Sequence, residues 1–211
     1  MIFLDLIATV FLFSLFAVSH TILASNKIKR RFSERLGPGI AFYRLFYNFT
    51  SLITLALFIF IAPKPDIVVY DLQYPFDIVT FVLQVLSLIG LIWTVGRLDL
   101  KEFLGIAQVE RYLNGTYKID DLDERQTLIT SGAFKFSRHP VYLFTILYLA
   151  LRPEMSLFYL EFVICTAVYF YIGSIFEESK LVERFGEEYV SYRKKVPRIF
   201  PLRFRKDTHE T

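Results

Sequence analysis

Residues 141–178 read VYLFTILYLALRPEMSLFYLEFVICTAVYFYIGSIFEE. A short apolar run, 141–151, is parted by Arg152-Pro153-Glu154 from a longer one, 155–176, which ends on two adjacent carboxylates, Glu177 and Glu178. The longer run is close to the roughly 20 residues that cross about 30 Å of hydrocarbon at about 1.5 Å per residue. The shorter one makes a helix of about 17 Å, near half a membrane thickness, so either Pro140 or Arg152 must lie below an interface. Backbone in lipid has to satisfy its own hydrogen bonds, so the two runs read as a helical hairpin that dips into the membrane or crosses a thinned region.

Three further runs carry the same signal: 2–23, 41–62 and 76–96. With 54% hydrophobic and 18% aromatic residues among 211, and a mean hydropathy of +0.42, a soluble fold would expose large apolar patches. The lipid bilayer is the expected solvent. The expected fold is an all-α, polytopic membrane helix bundle of about five transmembrane helices, the last two forming the hairpin. It is a single domain over 1–211, with three spans in 1–97, a loop over 98–139, and the hairpin and C-terminal segment over 140–211. Lys27, Lys29, Arg30, Arg31 and Arg35 crowd the first loop, whereas Lys64 and Arg152 fall on the opposite face. Translocating basic residues is disfavoured, so the N-terminus is expected outside and the C-terminus in the cytoplasm. Asp5 stands where a cleaved signal peptide would carry basic residues, and the first run reads as a span.

Cys165 is the one cysteine and lies in an apolar run, which excludes a disulfide framework or a thiolate metal cluster. Three scattered histidines lack ligand spacing, and no metal is expected. The net charge of +3 comes from basic loops without a basic, aromatic-interleaved stripe, so nucleic acid is not an expected partner. Neither a repeat of roughly 20–50 residues nor the inverted repeat of a transporter is present. The 97–138 loop balances seven basic against seven acidic residues and reads as solvated, with Asn114-Gly115 as a tight turn. Gln84 and Glu161, inside apolar runs, read as structural, either in hydrogen bonds between helices or snorkelling to the surface. His20 reads as an interface or packing residue, and Tyr43, Arg44 and Asn48 as interfacial anchors.

Chemistry concentrates on both sides of the hairpin. Upstream, residues 127–142 read TLITSGAFKFSRHPVY. Proline is tolerated at the first helical position, where its missing N–H costs nothing, so the short helix is expected to begin at Pro140 with His139 near its cap. Free N–H groups and aligned peptide dipoles make that end electropositive, and Arg138 adds a fixed charge. Such an end receives a carboxylate or phosphate, or, as a plain interface anchor, lipid headgroups.

Downstream, residues 176–201 read FEESKLVERFGEEYVSYRKKVPRIFP. On one continuous helix Glu178, Val182, Phe185, Tyr189 and Tyr192 share a face and Glu177 and Arg184 a neighbouring one, with Gly186 the candidate interruption. Lys194, Lys195, Arg203, Arg205 and Lys206 read as contacts to anionic lipid. The Glu177-Glu178 pair fits that role poorly, because carboxylates at an anionic interface are repelled unless they hold a partner or a cationic ligand.

Arg138-His139-Pro140-Val141-Tyr142, the hairpin, Glu177-Glu178, Phe185-Gly186-Glu187-Glu188-Tyr189 and Val196-Pro197-Arg198 together resemble the shared motifs of the isoprenylcysteine carboxyl methyltransferase and phospholipid methyltransferase superfamily of integral membrane methyltransferases. Ser19-His20-Thr21-Ile22-Leu23-Ala24-Ser25 and Phe103-Leu104-Gly105-Ile106-Ala107-Gln108 are similar to its methanethiol S-methyltransferase and nurim-like branch. Phe144, where the superfamily usually has a small residue, and Ala133, where proline is common, depart from the pattern. The resemblance implies S-adenosylmethionine as cofactor. It implies Arg138, His139, Pro140, Tyr142 and Tyr189 around that cofactor, Glu177 against its cationic part, and Glu178 and Arg184 as the catalytic pair nearest the acceptor.

Methyl transfer needs no protein nucleophile, so positioning supplies most of the rate. When a thiolate attacks a sulfonium, opposite charges cancel, and a low-dielectric site favours that transition state. S-Adenosylmethionine has a carboxylate for a helix start, and an amine and sulfonium for carboxylates and aromatic faces. A thiol has a reference pKa near 8.5; Arg184 would help by favouring its thiolate, or Glu178 by acting as a base, and both remain open. The expected function is an S-adenosylmethionine-dependent membrane methyltransferase acting on a small thiol or lipophilic acceptor, S- or O-methylation favoured, with its site facing the cytoplasm. The alternative is a non-catalytic nurim-like scaffold, which would have no reason to keep the paired motifs in register around a short hairpin.

Overall fold

The computed structural model describes residues 1–119 and 127–201; Arg203, Arg205, Lys206 and part of the central loop lie outside the described residues. Chain order is α1 (Ile2–Ala24), α2 (Asn26–Leu36), a 3-10 turn (Gly37–Phe42), α3 (Tyr43–Ile61), β1 (Val68–Asp71), α4 (Phe76–Val95), α5 (Leu100–Leu104), α6 (Ile106–Leu113), a second 3-10 turn (Gly132–Lys135), α7 (Pro140–Ala150), β2 (Glu154–Ser156), α8 (Leu157–Phe185) and α9 (Glu187–Lys195). Helices α1, α4 and α8 and the stretch Asn26–Ile61 that ends in α3 are long and apolar enough to cross a bilayer, and α7 is a shorter apolar helix beside them. The protein is an all-α polytopic bundle integral to the membrane. Helix α8 packs on α1 and α7, α1 on α3, and α7 on α4, giving the row α3, α1, α8, α7, α4.

An aromatic cluster at the α1–α3–α8 contact anchors the row. Phe13 meets Phe58 edge-on at 5.5 Å and Phe162 at 6.2 Å, and Cys165 packs against the same cluster. Glu161 reaches Thr9 of α1, and Gln84 of α4 donates to the Tyr148 carbonyl of α7 at 2.9 Å. Gln84 thus joins two helices, as polar groups in lipid do.

Two antiparallel strands, not expected from the sequence, close the end of the bundle away from α9: Val68 pairs with Ser156, Tyr70 with Met155 and Asp71 with Glu154. Met155, read as the start of a span, belongs to this ladder, because chain leaving a helix needs partners for its peptide groups. The Tyr70 hydroxyl lies 3.4 Å from the Ala150 carbonyl, one of the acceptors α7 leaves open at its C-terminus, and 3.2 Å from that of Arg152 just beyond the helix.

Helix α7 is recessed at this strand end. Gln84 lies eight residues inside α4 and Tyr148 two residues inside the end of α7, so at about 1.5 Å per residue α7 stops about 9 Å short of the first residue of α4. At the other end Phe144 packs on Gly90, where an added Cβ would lie 2.5 Å from the Phe144 ring. This brings Pro140 nearly level with the last turn of α4. Relative to α4, the Arg152 end of the hairpin, and not the Pro140 end, is the recessed one. The bulk of Phe144 is accommodated by the missing side chain of Gly90.

The central loop is more ordered than its charge balance predicts. Helices α5 and α6 form a hairpin, Arg44 Nε and Asn48 Nδ2 donate to the Phe103 carbonyl at 3.0 and 3.1 Å, and Asn48 also reaches that of Leu104 at 3.0 Å. Glu102 is buried, ion-paired with Arg111 and bonded by Gln108. Gly105 makes this turn: its φ is +94°, and a Cβ would press within 2.9 Å of the Leu45 backbone. Asn114-Gly115 is the expected tight turn, with the Thr116 amide reaching the Arg111 carbonyl at 2.9 Å.

Gly186 corrects the single-helix reading of the C-terminal segment. Its φ of +55° ends α8, and α9 folds back. Glu178, Tyr189 and Tyr192 therefore do not share a face of one helix.

Candidate active site

The ends of four segments meet at the start of α7. His139 is the N-cap, with φ −121° and ψ 63°, and Pro140 occupies the first helical turn with no side-chain cap on the amides that follow. The extended chain after α9 pairs with this entry: the Arg138 amide donates to the Pro197 carbonyl at 2.9 Å and the His139 amide to that of Arg198 at 3.0 Å. Pro197 can sit here because only its carbonyl is needed. From α9, Tyr192 donates to the Phe134 carbonyl at 2.6 Å, and Arg138 Nη1 donates back to the Arg193 carbonyl at 2.8 Å.

Glu178, 2% exposed, sits at the centre. Its Oε1 is 2.8 Å from Arg138 Nη2, 3.2 Å from His139 Nε2 and 3.3 Å from Arg198 Nε, and its Oε2 is 3.3 Å from Arg198 Nη2. A buried carboxylate is tolerated on these terms, with cationic donors on both oxygens. It has little capacity left to serve as a base.

Glu177 is different. Its side chain is 45% exposed. Its contacts among the described residues fall on one oxygen: His139 Nδ1 lies 3.3 Å from Oε2, and the Tyr142 hydroxyl donates to it at 2.9 Å. The imidazole thus bridges the two carboxylates. Burial pushes the His139 pKa down, but hydrogen bonds and charge from Glu177 and Glu178 outweigh it and hold the value above the ordinary 6.5.

Beside Glu177 three rings stack: His139 on Tyr142 at 5.2 Å and Tyr142 on Phe170 at 4.4 Å, the planes within 10° and 9° of parallel. Tyr189 is 1% exposed, and its hydroxyl has no hydrogen-bond partner among the described residues; nor has Arg138 Nε. Burial raises the Tyr189 pKa and pushes that of Tyr192 up to about 12, so both stay neutral donors.

The structure gathers Arg138, His139, Pro140, Tyr142, Glu177, Glu178 and Tyr189. Arg138 is not held out toward an anion, as its place beside a helix start implied; it is spent on Glu178. Arg184 stands outside the cluster, exposed, with its guanidinium 5.9 Å from the Phe185 ring. Arg198 joins the cluster although its sequence position assigned it no role. Val196-Pro197-Arg198 entered only as one of the motifs that carry the resemblance, and nothing local names a partner for Arg198 across the Gly186 turn.

No family model matches the chain, and no solved structure does. Among curated proteins it is similar to methanethiol S-methyltransferase 1 of Bradyrhizobium diazoefficiens, 29% identical over 198 residues, covering 93% of this chain and 67% of that protein. It is 27% identical to methanethiol S-methyltransferase of Pseudomonas deceptionensis over 201 residues, 94% of this chain and 73% of that one. With the protein of the same name from Mycobacterium tuberculosis it shares 24% identity over 191 residues, 90% and 75% of the two chains. The likeness to these methanethiol S-methyltransferases runs along nearly the whole chain.

Proposed function

With that likeness as the premise, we propose that this membrane protein is an S-adenosylmethionine-dependent methyltransferase whose acceptor is a thiol. The carrying observation is Glu177, partly open and held on one oxygen by His139 and Tyr142, set beside the stacked rings of Tyr142 and Phe170. An open carboxylate next to aromatic faces is a place for an organic cation. The fit extends to the orphaned donors, since a buried hydroxyl such as that of Tyr189 is costly to leave unmade. S-Adenosylmethionine, when bound, supplies a methyl group on a cationic sulfur.

Each residue of the cluster then has a task. Glu177 and the ring stack face the positive charge. The uncapped first turn of α7 faces the carboxylate. Glu178 binds no ligand itself; it pins Arg138, His139 and Arg198, and so the α7 start, α8 and the C-terminal segment, in one geometry. Arg184, exposed on α8 beyond Glu178 and near only the Phe185 ring, takes no task in this reading. The basic first loop supports a cytoplasmic position for this end, and a bilayer around it would favour small or lipophilic acceptors.

Calorimetric titration of S-adenosylhomocysteine into detergent-solubilised protein tests the cofactor. Labelled S-adenosylmethionine offered with alkanethiols, prenylcysteine and phosphatidylethanolamine tests the acceptor. Label is expected in the thioether; absence of cofactor binding would return the chain to the scaffold reading.

A further inference from the structure

A second polar cluster, which the residues above do not use, lies where α1, α3 and α8 meet. His20 Nδ1 is 2.8 Å from Ser51 Oγ, and His20 Nε2 is 2.5 Å from the Tyr47 hydroxyl. The directions of these bonds are fixed by a third. Ser51 Oγ donates its proton to the Tyr47 carbonyl at 2.7 Å, so toward His20 it can only accept. The imidazole therefore carries its proton on Nδ1 and presents a bare Nε2, to which the Tyr47 hydroxyl donates. A hydroxyl oriented in this way offers only lone pairs to any other group that approaches.

The cluster adjoins the first. The His20 ring stands 6.0 Å from Tyr169, Tyr169 stands 6.1 Å from Phe170, and Phe170 stacks on Tyr142. The Arg44 guanidinium lies 5.8 Å from the centre of the Tyr47 ring. Glu178, the other candidate base, is enclosed by cations.

We infer that His20 is the proton acceptor for the thiol, with the Tyr47 hydroxyl as the relay between them. The inference rests on the thiol methyl transfer proposed above. The S–H bond of the thiol breaks, its proton goes to the Tyr47 oxygen, and the proton of Tyr47 passes to His20 Nε2, leaving an imidazolium. The electron pair freed on sulfur forms the new S–CH3 bond, while the C–S bond of the sulfonium donor breaks and its pair returns to the donor sulfur. Arg44 favours negative charge on the sulfur and opposes a lasting imidazolium, so the proton leaves to water between turnovers.

The test compares wild type, His20→Gln and Tyr47→Phe on two thiols: an alkanethiol, protonated at neutral pH, and an acidic aromatic thiol, already a thiolate there. Both variants are expected to lose about 100-fold in rate with the alkanethiol, the scale of a lost general base. They should keep most of the rate with the aromatic thiol and bind S-adenosylhomocysteine as wild type does. Equal losses on both thiols, or none on either, overturn the assignment. An independent reading comes from nitrogen NMR of histidine-labelled wild type, whose three histidines are separable. His20 protonated on Nδ1 and bare on Nε2 supports the relay, and the opposite tautomer overturns it. If wild type binds no S-adenosylhomocysteine, the proposed function fails; if it binds and methylates but the variants behave as wild type, only the relay fails.

Discussion

Arg198 grips Glu178 across the Gly186 turn through one guanidinium edge, Nε on Oε1 and Nη2 on Oε2, both at 3.3 Å, although the two residues are 20 positions apart. That contact locks the last described segment to α8. Arg198→Ala is expected to destabilise the protein by about 1–3 kcal/mol, the scale of a charged hydrogen bond withdrawn from a buried group. Arg198→Lys recovers only part, because a point charge cannot engage both oxygens. Thermal unfolding in detergent measures both; an alanine variant as stable as wild type would contradict the role.

The adjacent carboxylates should separate by readout. Glu178→Gln leaves buried guanidinium groups unpaired and is expected to cost about 3–5 kcal/mol of stability and all methyl transfer. Glu177→Gln should cost much less stability, only its share of the His139 bridge, and weaken S-adenosylmethionine binding about tenfold or more, since a charge-assisted contact carries about 1.5–3 kcal/mol. Similar stability losses in the two variants would refute the division of labour.

The proton on His139 makes stability depend on pH. Its folded-state pKa lies above the ordinary 6.5 because Glu177 and Glu178 flank it. The folded protein binds that proton more tightly than the unfolded chain. The contribution is complete below about pH 6.5 and fades as pH rises through the folded value. The gap in melting temperature between wild type and His139→Gln should therefore narrow on the alkaline side; a gap independent of pH would rule the bridge out. His139→Ala should also abolish methyl transfer.

The fit of Phe144 into Gly90 predicts a reciprocal pair. Gly90→Ala places a Cβ 2.5 Å from the Phe144 ring and should cost about 1–3 kcal/mol by overpacking. Adding Phe144→Leu is expected to restore much of the loss. Additive destabilisation in the double variant, measured by thermal unfolding, would exclude the contact.

Much of the site's framework was legible because it is written locally. Pro140 marks a helix start through its own missing N–H, and the apolar runs mark the spans through their length; Gly186 stood only as a candidate interruption, and its positive φ ends the helix there. The Arg138-His139-Pro140 and Glu177-Glu178 motifs announced themselves through residue types that the membrane tolerates only with partners. Which partners they take was not legible. Arg138 looked available to an anionic ligand and is paired with Glu178; Glu178 looked like a base and is enclosed.

The sequence by itself determined a membrane bundle, the position of its short helix and the end of the bundle where polar chemistry gathers, since hydrophobic length and helix-end chemistry depend on neighbours a few residues away. Only the tertiary structure decided that Arg152 is the recessed end of the hairpin, that Arg198 closes on Glu178, and that His20, Tyr47 and Ser51 form a directed hydrogen-bond chain. Each of these depends on residues 20 or more apart arriving together, and their arrival is set by the packing of whole helices and by the turns that join them.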